Sequence, residues 1–294
     1  MTRAVPAAEV GRICGAAARA LRDLLGQTRR YSELFDRPGF DPSLLATVTL
    51  ANAFSAPWHD ADELRPLNRA TLWAFALDWQ VDVAATDRAE LVELNRRCLV
   101  IADGAAPANG DQLGMFLASV RDDLSKAASF AQLRPIWREE LRRTLDAMTQ
   151  EWEWKMAPRR DPPGWPVTVT QYLGNADNLG SSFVHMAHWI ATGGLEATSH
   201  VDAVLSASRA TQAVIRVLND MATFDRDVRG GDLNLLRLDG GPEAAGPTLD
   251  HLMARHRGRV RALRPVHGRF AIFLDRQVEF CRGFYPVADY WGDH

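Results

Sequence analysis

The chain predicts an all-α fold, a single domain over residues 1–294. Three observations carry that class. Apolar residues recur at three- and four-residue spacing over long segments, the period that gives a helix one apolar face. Strict alternation, which builds strands, is confined to a scrap at 166–170. Short Pro- and Gly-rich stretches at 105–110, 158–166, 193–194, 230–231 and 240–242 separate the periodic segments, and they read as loops rather than interdomain linkers.

Taken in order, the predicted helices begin with 7–25 and 42–54, followed by 67–84, whose middle, Leu72-Trp73-Ala74-Phe75-Ala76-Leu77, is strongly apolar. Helix 88–102 stops at the loop 105–110, and 110–129 leaves it again. Helix 136–156 runs up to the prolines of 158–166, and 169–191 ends before Gly193-Gly194. Helix 200–228 is apolar nearly all round at Ala213-Val214-Ile215-Arg216-Val217-Leu218, the mark of a buried helix, and stops at Gly230-Gly231. Helices 248–262 and 270–284 complete the bundle. No repeat of fixed period is visible, so a solenoid is excluded.

Hydrophobic residues make up 47% and charged residues 24%, the balance of a globular protein with a sizeable core. A net charge of -3 lacks the basic excess that holds a phosphate backbone, so nucleic acid is not an expected partner. The local basic run from Arg255 to Arg264 reads as a solvated helix face. Cys14, Cys98 and Cys281 lie far apart without CxxC spacing, which suggests neither a disulfide framework nor a zinc site. No signal pattern opens the chain and no run of about 18 apolar residues occurs, so a protein of the cytoplasm without stable membrane insertion is expected.

Chemistry concentrates in two places. In Asn219-Asp220-Met221-Ala222-Thr223-Phe224-Asp225-Arg226-Asp227 an amide, a hydroxyl and a carboxylate stand four residues apart. Four residues advance a helix by roughly 400° and about 6 Å, so Asn219, Thr223 and Asp227 share one stripe. Hard oxygens in a row suit Mg²⁺. A solvated surface stripe is the plain alternative, but the apolar flank before Asn219 argues for burial, where such groups demand partners. The second place is Asp78-Trp79-Gln80-Val81-Asp82, two carboxylates one turn apart in an apolar helix, costly unless paired or coordinated. A helix end reaching solvent at Asp82 is the alternative there.

Asn219-Asp220-x-x-Thr223-x-x-x-Asp227 resembles the second metal motif of class I terpene synthases, and Asp78 to Asp82 resembles their first, aspartate-rich motif. Order and separation agree as well. The likeness is nearest to small bacterial single-domain diterpene synthases, including bacterial ent-kaurene synthases, through Asp225-Arg226-Asp227 and Tyr172-Leu173-Gly174-Asn175. It implies a helical bundle around an apolar cavity, with three Mg²⁺ ions held by Asp78, Asp82, Asn219, Thr223 and Asp227. It implies an isoprenoid diphosphate substrate, either linear geranylgeranyl diphosphate or a bicyclic diphosphate supplied by a separate class II cyclase, since no Asp-x-Asp-Asp protonation motif is present. A homodimer is left open.

The chain departs from the family pattern at three points. Trp79 stands where a second adjacent aspartate is usual, which puts the primary ligation on Asp78. The usual arginine sensor is missing from Gly174-Asn175-Ala176-Asp177-Asn178, leaving Asn175 or Asn178 as neutral donors. The tail reads Asp289-Tyr290 instead of Arg-Tyr, so Arg226, then Arg282, then Arg216 are the candidate cations for the diphosphate. Phe75, Trp79, Phe183 and Tyr290 are the aromatics expected at the cavity, where ring faces within about 6 Å stabilise a carbocation. His185 and His188 have metal-compatible spacing but no third nitrogen ligand nearby, and read as packed or solvated. A chain-elongating prenyltransferase, or a helical binding protein without activity, are the rival functions; Asn219 and Thr223 favour cyclisation over elongation.

Overall fold

The computed structural model describes residues 6–157, 165–238 and 240–292, and among them there are twelve α-helices and no strand. Helix α1 (Ala7–Arg30) buries Ile13, Ala17, Ala20 and Leu24, a stripe of helical period, against α3 (Pro42–Ser55), with the single turn α2 (Ser32–Phe35) between them. α3 starts where the Asp41 carboxylate accepts the Leu44 N–H at 2.9 Å and Pro42 presets the first turn. α4 (Arg65–Trp79) passes without a break into a π-helical turn, Gln80–Ala84. α5 (Arg88–Ala102) and α6 (Gln112–Leu124) are capped by Asp87 and Asp111, which accept from Glu90 N–H and Gly114 N–H at 3.0 and 2.9 Å.

The second half is built on long helices. α7 (Phe130–Met156) packs on α5 and on α9 (Ser181–Thr192); α8 (Val169–Gly174) is opened by a reciprocal capping box between Thr168 and Gln171. α10 (Val201–Gly230) lies against α9, α11 (Gly241–Leu263) and α12 (Gly268–Phe284), and ends at Gly231, whose φ of +79° is the left-handed cap glycine adopts freely. At the centre Phe183 sits between Trp73 and Trp137, ring centroids 5.3 and 5.2 Å away, all three fully buried. Smaller apolar clusters lie under α8 and between α10 and α12.

Three predicted boundaries move for identifiable reasons. The segment expected as one helix over 169–191 is broken: α8 stops at Gly174, a 3₁₀ turn spans Ala176–Leu179, and Gly180 at φ +69° redirects the chain into α9. Apolar periodicity persists across the break, which hides it from a period count. α7 and α11 begin six and seven residues before their predicted starts, because Pro135 and Pro247 lie inside the second turn instead of opening the helix. The scrap of alternation at 166–170 becomes the cap of α8, and the loop expected at 158–166 lies largely outside the described residues. Arg255, Arg257, Arg259, Arg261 and Arg264 are exposed on or just beyond α11. No helix of the described residues is long and apolar enough to cross a membrane.

Candidate active site

A cavity of about 860 Å³ opens between α4, α10 and the helices around them, at the large end for small-molecule sites. α4 delivers Phe75, Asp78 and Trp79 to it, and the π turn that follows carries Asp82. π turns recur at functional positions because the extra residue re-aims side chains. α10 delivers Asn219, Asp220, Arg226 and Asp227 from the opposite side. The two sequence motifs, some 140 residues apart, therefore line one space.

Asp78 is half-buried and lines the cavity. Burial pushes its carboxyl up to about 8, the neighbouring Asp82 pushes the same way, and Lys155 pulls against both. On α10 the Asn219–Thr223–Asp227 stripe is knitted together: Thr223 Oγ1 lies 3.0 Å from the Asn219 carbonyl and 2.7 Å from Asp227 Oδ2. Asn234, from the loop after α10, donates to the same Oδ2 at 2.8 Å and to the Asp220 carbonyl at 2.7 Å. Thr223 is buried beneath the cavity surface, while Asn219 and Asp227 reach it; Asn219 Nδ2 also donates to Tyr285 Oη at 3.3 Å.

Among the described residues, three of the cavity's four Lys and Arg side chains are paired around these oxygens, Arg229 being the fourth. Lys155, near the end of α7, bridges Asp82 and Asp232, each at 3.0 Å, and so ties the first motif to the loop behind the second. Arg216 is buried and bonded to Glu151 at 2.9 Å, donates Nε to Tyr172 Oη at 2.9 Å, and lies 3.5 Å from Asp220. Tyr172 donates in turn to Asp220 at 2.9 Å, whose carboxyl burial raises to about 7. Asn178 donates to Glu151. Arg226 pairs with Asp289 of the tail at 2.8 Å. That tail returns across the cavity: Trp291 packs edge-on against Phe75 and Phe40, both at 5.3 Å, and Tyr290 against Phe75 at the same distance.

Of the residues singled out from sequence, Asp78, Asp82, Asn219, Asp227, Arg216, Arg226, Asn178, Phe75, Trp79 and Tyr290 line the cavity, with Thr223 directly beneath. The structure does not bring the other three there. Phe183 is enclosed by Trp73 and Trp137. Asn175 spends its amide on the Ala147 carbonyl at 2.8 Å. Arg282, half exposed, pairs with Glu279 one turn back. Sequence reasoning missed Glu151, Lys155, Asp232 and Asn234. Glu151 and Lys155, four apart on α7, carried one usable signal, an opposite-charge pair inside a Trp-rich helix end.

The donor set suits a hard divalent cation: the oxygens of Asp78 and Asp82 on one wall, and those of Asn219 and Asp227, with Thr223 beneath them, on the other. Mg²⁺ usually keeps several waters and takes one or two carboxylates, which such a two-sided donor set can supply. A buried carboxyl at Asp78, whose proton affinity burial and the Asp82 charge both raise, is what a dication would relieve.

Residues 69–238 match the model of terpene synthase family 2, C-terminal metal binding. The chain is 23% identical over 280 residues to ent-pimara-9(11),15-diene synthase of Streptomyces sp. (strain KO-3988), covering 94% of this chain and 92% of that one. It superposes on linalool/nerolidol synthase from Streptomyces clavuligerus in complex with 2-fluorogeranyl diphosphate with a TM-score of 0.68, at 17% identity over 92% of this chain and 93% of that one. Germacradien-4-ol synthase from Streptomyces citricolor gives the same TM-score at 14% identity, over 92% and 94% of the two chains. The fold and the matched family define a class I terpene synthase. The chain belongs to terpene synthase family 2 and is an enzyme that converts prenyl diphosphates to terpenes.

Proposed function

We propose that this protein is a magnesium-dependent diterpene synthase, one domain that ionises a twenty-carbon prenyl diphosphate and steers the resulting carbocation to a cyclic diterpene. The observation that carries it is the meeting of Asp78 and Asp82 with Asn219 and Asp227 on the walls of one large cavity. The diterpene size is supported by the relative along 94% of the chain, named for a pimaradiene product. Geranylgeranyl diphosphate and a bicyclic diterpenyl diphosphate from a class II cyclase both suit the cavity volume.

Asp78, Asp82, Asn219, Thr223 and Asp227 would hold the magnesium, three ions in all; bound there, it supplies Lewis-acid neutralisation of the departing diphosphate. The chain's own cations are arranged to share that task. Arg226 and Lys155 are held by exchangeable carboxylates at the cavity edge, Asp289 for one, Asp82 and Asp232 for the other, so each can turn to a phosphate oxygen without crossing the protein. Arg216, locked by Glu151, Tyr172 and Asp220, is fixed in place and acts at longer range. Phe75, Trp79, Tyr290 and Trp291 present ring faces and edges to the cation and exclude water.

The test is incubation with linear C10 to C20 and bicyclic C20 diphosphates plus Mg²⁺, with hydrocarbon analysis of the extract. A C20 substrate should give cyclic product, and Asp78→Ala and Asn219→Ala should each lose about 100-fold or more of the rate. Turnover of C15 but no C20 substrate overturns the diterpene size; undiminished turnover in either variant overturns the metal reading.

A further inference from the structure

One wall of the cavity, away from both carboxylate motifs in sequence, holds an imidazole. His185 on α9 lines the cavity beside Val184 at only 2% exposure, and no other histidine of the described residues lines it. Its Nδ1 lies 2.8 Å from Ser208 Oγ on α10, and Ser208 Oγ lies 3.4 Å from Ser182 Oγ. In the tautomer that has Nδ1–H donating to Ser208, Nε2 keeps a bare lone pair. No protein group among the described residues donates to Nε2. Phe273 stands edge-on to the ring at 5.5 Å and fixes its plane.

The cavity's other basic groups are committed or weak. Its carboxylates belong to the two motifs or are paired with Lys155, Arg216 or Arg226. Asn52 and Gln277 offer amide oxygens, far poorer bases than an imidazole nitrogen, and Gln277 Nε2 already leans on Asn52 Oδ1 at 3.4 Å. We propose that His185 ends the cascade, its Nε2 removing a proton from the carbon next to the last cationic centre. The electron pair of that C–H bond becomes the π bond that fills the empty orbital. The product leaves as a neutral alkene, the proton stays on His185 as an imidazolium, and the ring returns it to water as the cavity empties. Nothing is oxidised or reduced.

Burial supports this role, holding the imidazole down to about 3, so that it is neutral before the reaction and does not repel the cation it serves. A carbocation with an adjacent C–H is so strong an acid that a weak, well-placed base suffices. His185 can act in this way only if the chain ionises a prenyl diphosphate, as proposed above.

The experiment separates ionisation from termination. Diphosphate release and product distribution are measured for wild type, His185→Asn and Ser208→Ala with the substrate that wild type accepts. In His185→Asn the share of the wild-type alkene should fall about tenfold in favour of isomeric alkenes or alcohols, with release slowed by less than about fivefold, a split that general destabilisation does not give. Ser208→Ala should shift the ratio the same way, and if His185→Asn fails to fold this variant decides. Wild-type ratios in the folded variant, or an alcohol as the wild-type product, overturn the role of His185. No diphosphate release by wild type from any substrate overturns the enzyme reading itself.

Discussion

At the scale of single residues, the second motif is organised by a side chain outside it. Asn234 bonds Asp227 Oδ2 and the Asp220 carbonyl at 2.8 and 2.7 Å, orienting a proposed ligand that also accepts from Thr223 and lies 3.5 Å from Arg226 Nε. Asn234→Ala should leave two buried acceptors short of a donor, lowering stability by about 1–3 kcal/mol. It should also weaken Mg²⁺ and diphosphate binding together by about 10–100-fold, read by calorimetric titration; unchanged binding would reduce Asn234 to a structural tie. A second residue-scale prediction concerns His188, buried with Nδ1 unsatisfied and its ring 4.4 Å from Phe273. Burial holds its pKa well below the usual value, with His59 and His185 adding to the effect. Below about pH 6.5 the unfolded chain binds a proton that the native chain refuses, so stability falls as pH drops. His188→Phe removes that loss, and its thermal midpoint should gain on wild type as pH is lowered from 7 to 5. A constant difference between the two would refute this origin.

At the scale of elements, the break between α8 and α9 matters most for the site, since it sends Asn178 to the cavity and Asn175 to the Ala147 carbonyl. Gly180 makes the turn at φ +69°, and a Cβ there would stand 3.4 Å from Thr144 Cγ2. Gly180→Ala should therefore cost about 1–2 kcal/mol, nearly all of it from the left-handed backbone rather than from crowding, as denaturant unfolding would register. A loss under about 0.5 kcal/mol would mean the turn relaxes freely. Most helices were legible because period and loops coincide, as at the starts of α3 and α5; α6 starts two residues after the expected 110, behind its cap Asp111. The break was not read, although Gly174, Asn175, Asp177, Asn178 and Gly180 are turn formers, because Phe183, Val184 and Met186 continue the apolar period past it. The π turn at Gln80–Ala84 was equally invisible, since it differs from an α-turn by one residue and by no change of composition.

At the scale of the whole molecule, packing divides aromatics that look alike in sequence. Phe75, Trp79 and Tyr290 reach the cavity, whereas Phe183 fills the contact between α4, α7 and α9. Phe183→Ala should destabilise the protein by about 3–5 kcal/mol while leaving the product ratio of the folded fraction unchanged; a new product profile at native stability would place this ring at the substrate after all. The same scale decides the cations. Lys155 bridges Asp82 and Asp232 because α7 ends beside the mouth, a fact of chain path that no local pattern encodes.

By itself the amino-acid order determined the helical class, most of the helices, and the two oxygen-rich motifs, because apolar period, capping residues and i, i+4 spacing are local properties of the chain. Only the tertiary structure decided which groups stand around those motifs: Lys155 between Asp82 and Asp232, Glu151 and Tyr172 on Arg216, Asn234 behind Asp227, His185 on the cavity wall. Their roles depend on distances between helices far apart in sequence, and such distances are set by how whole faces pack.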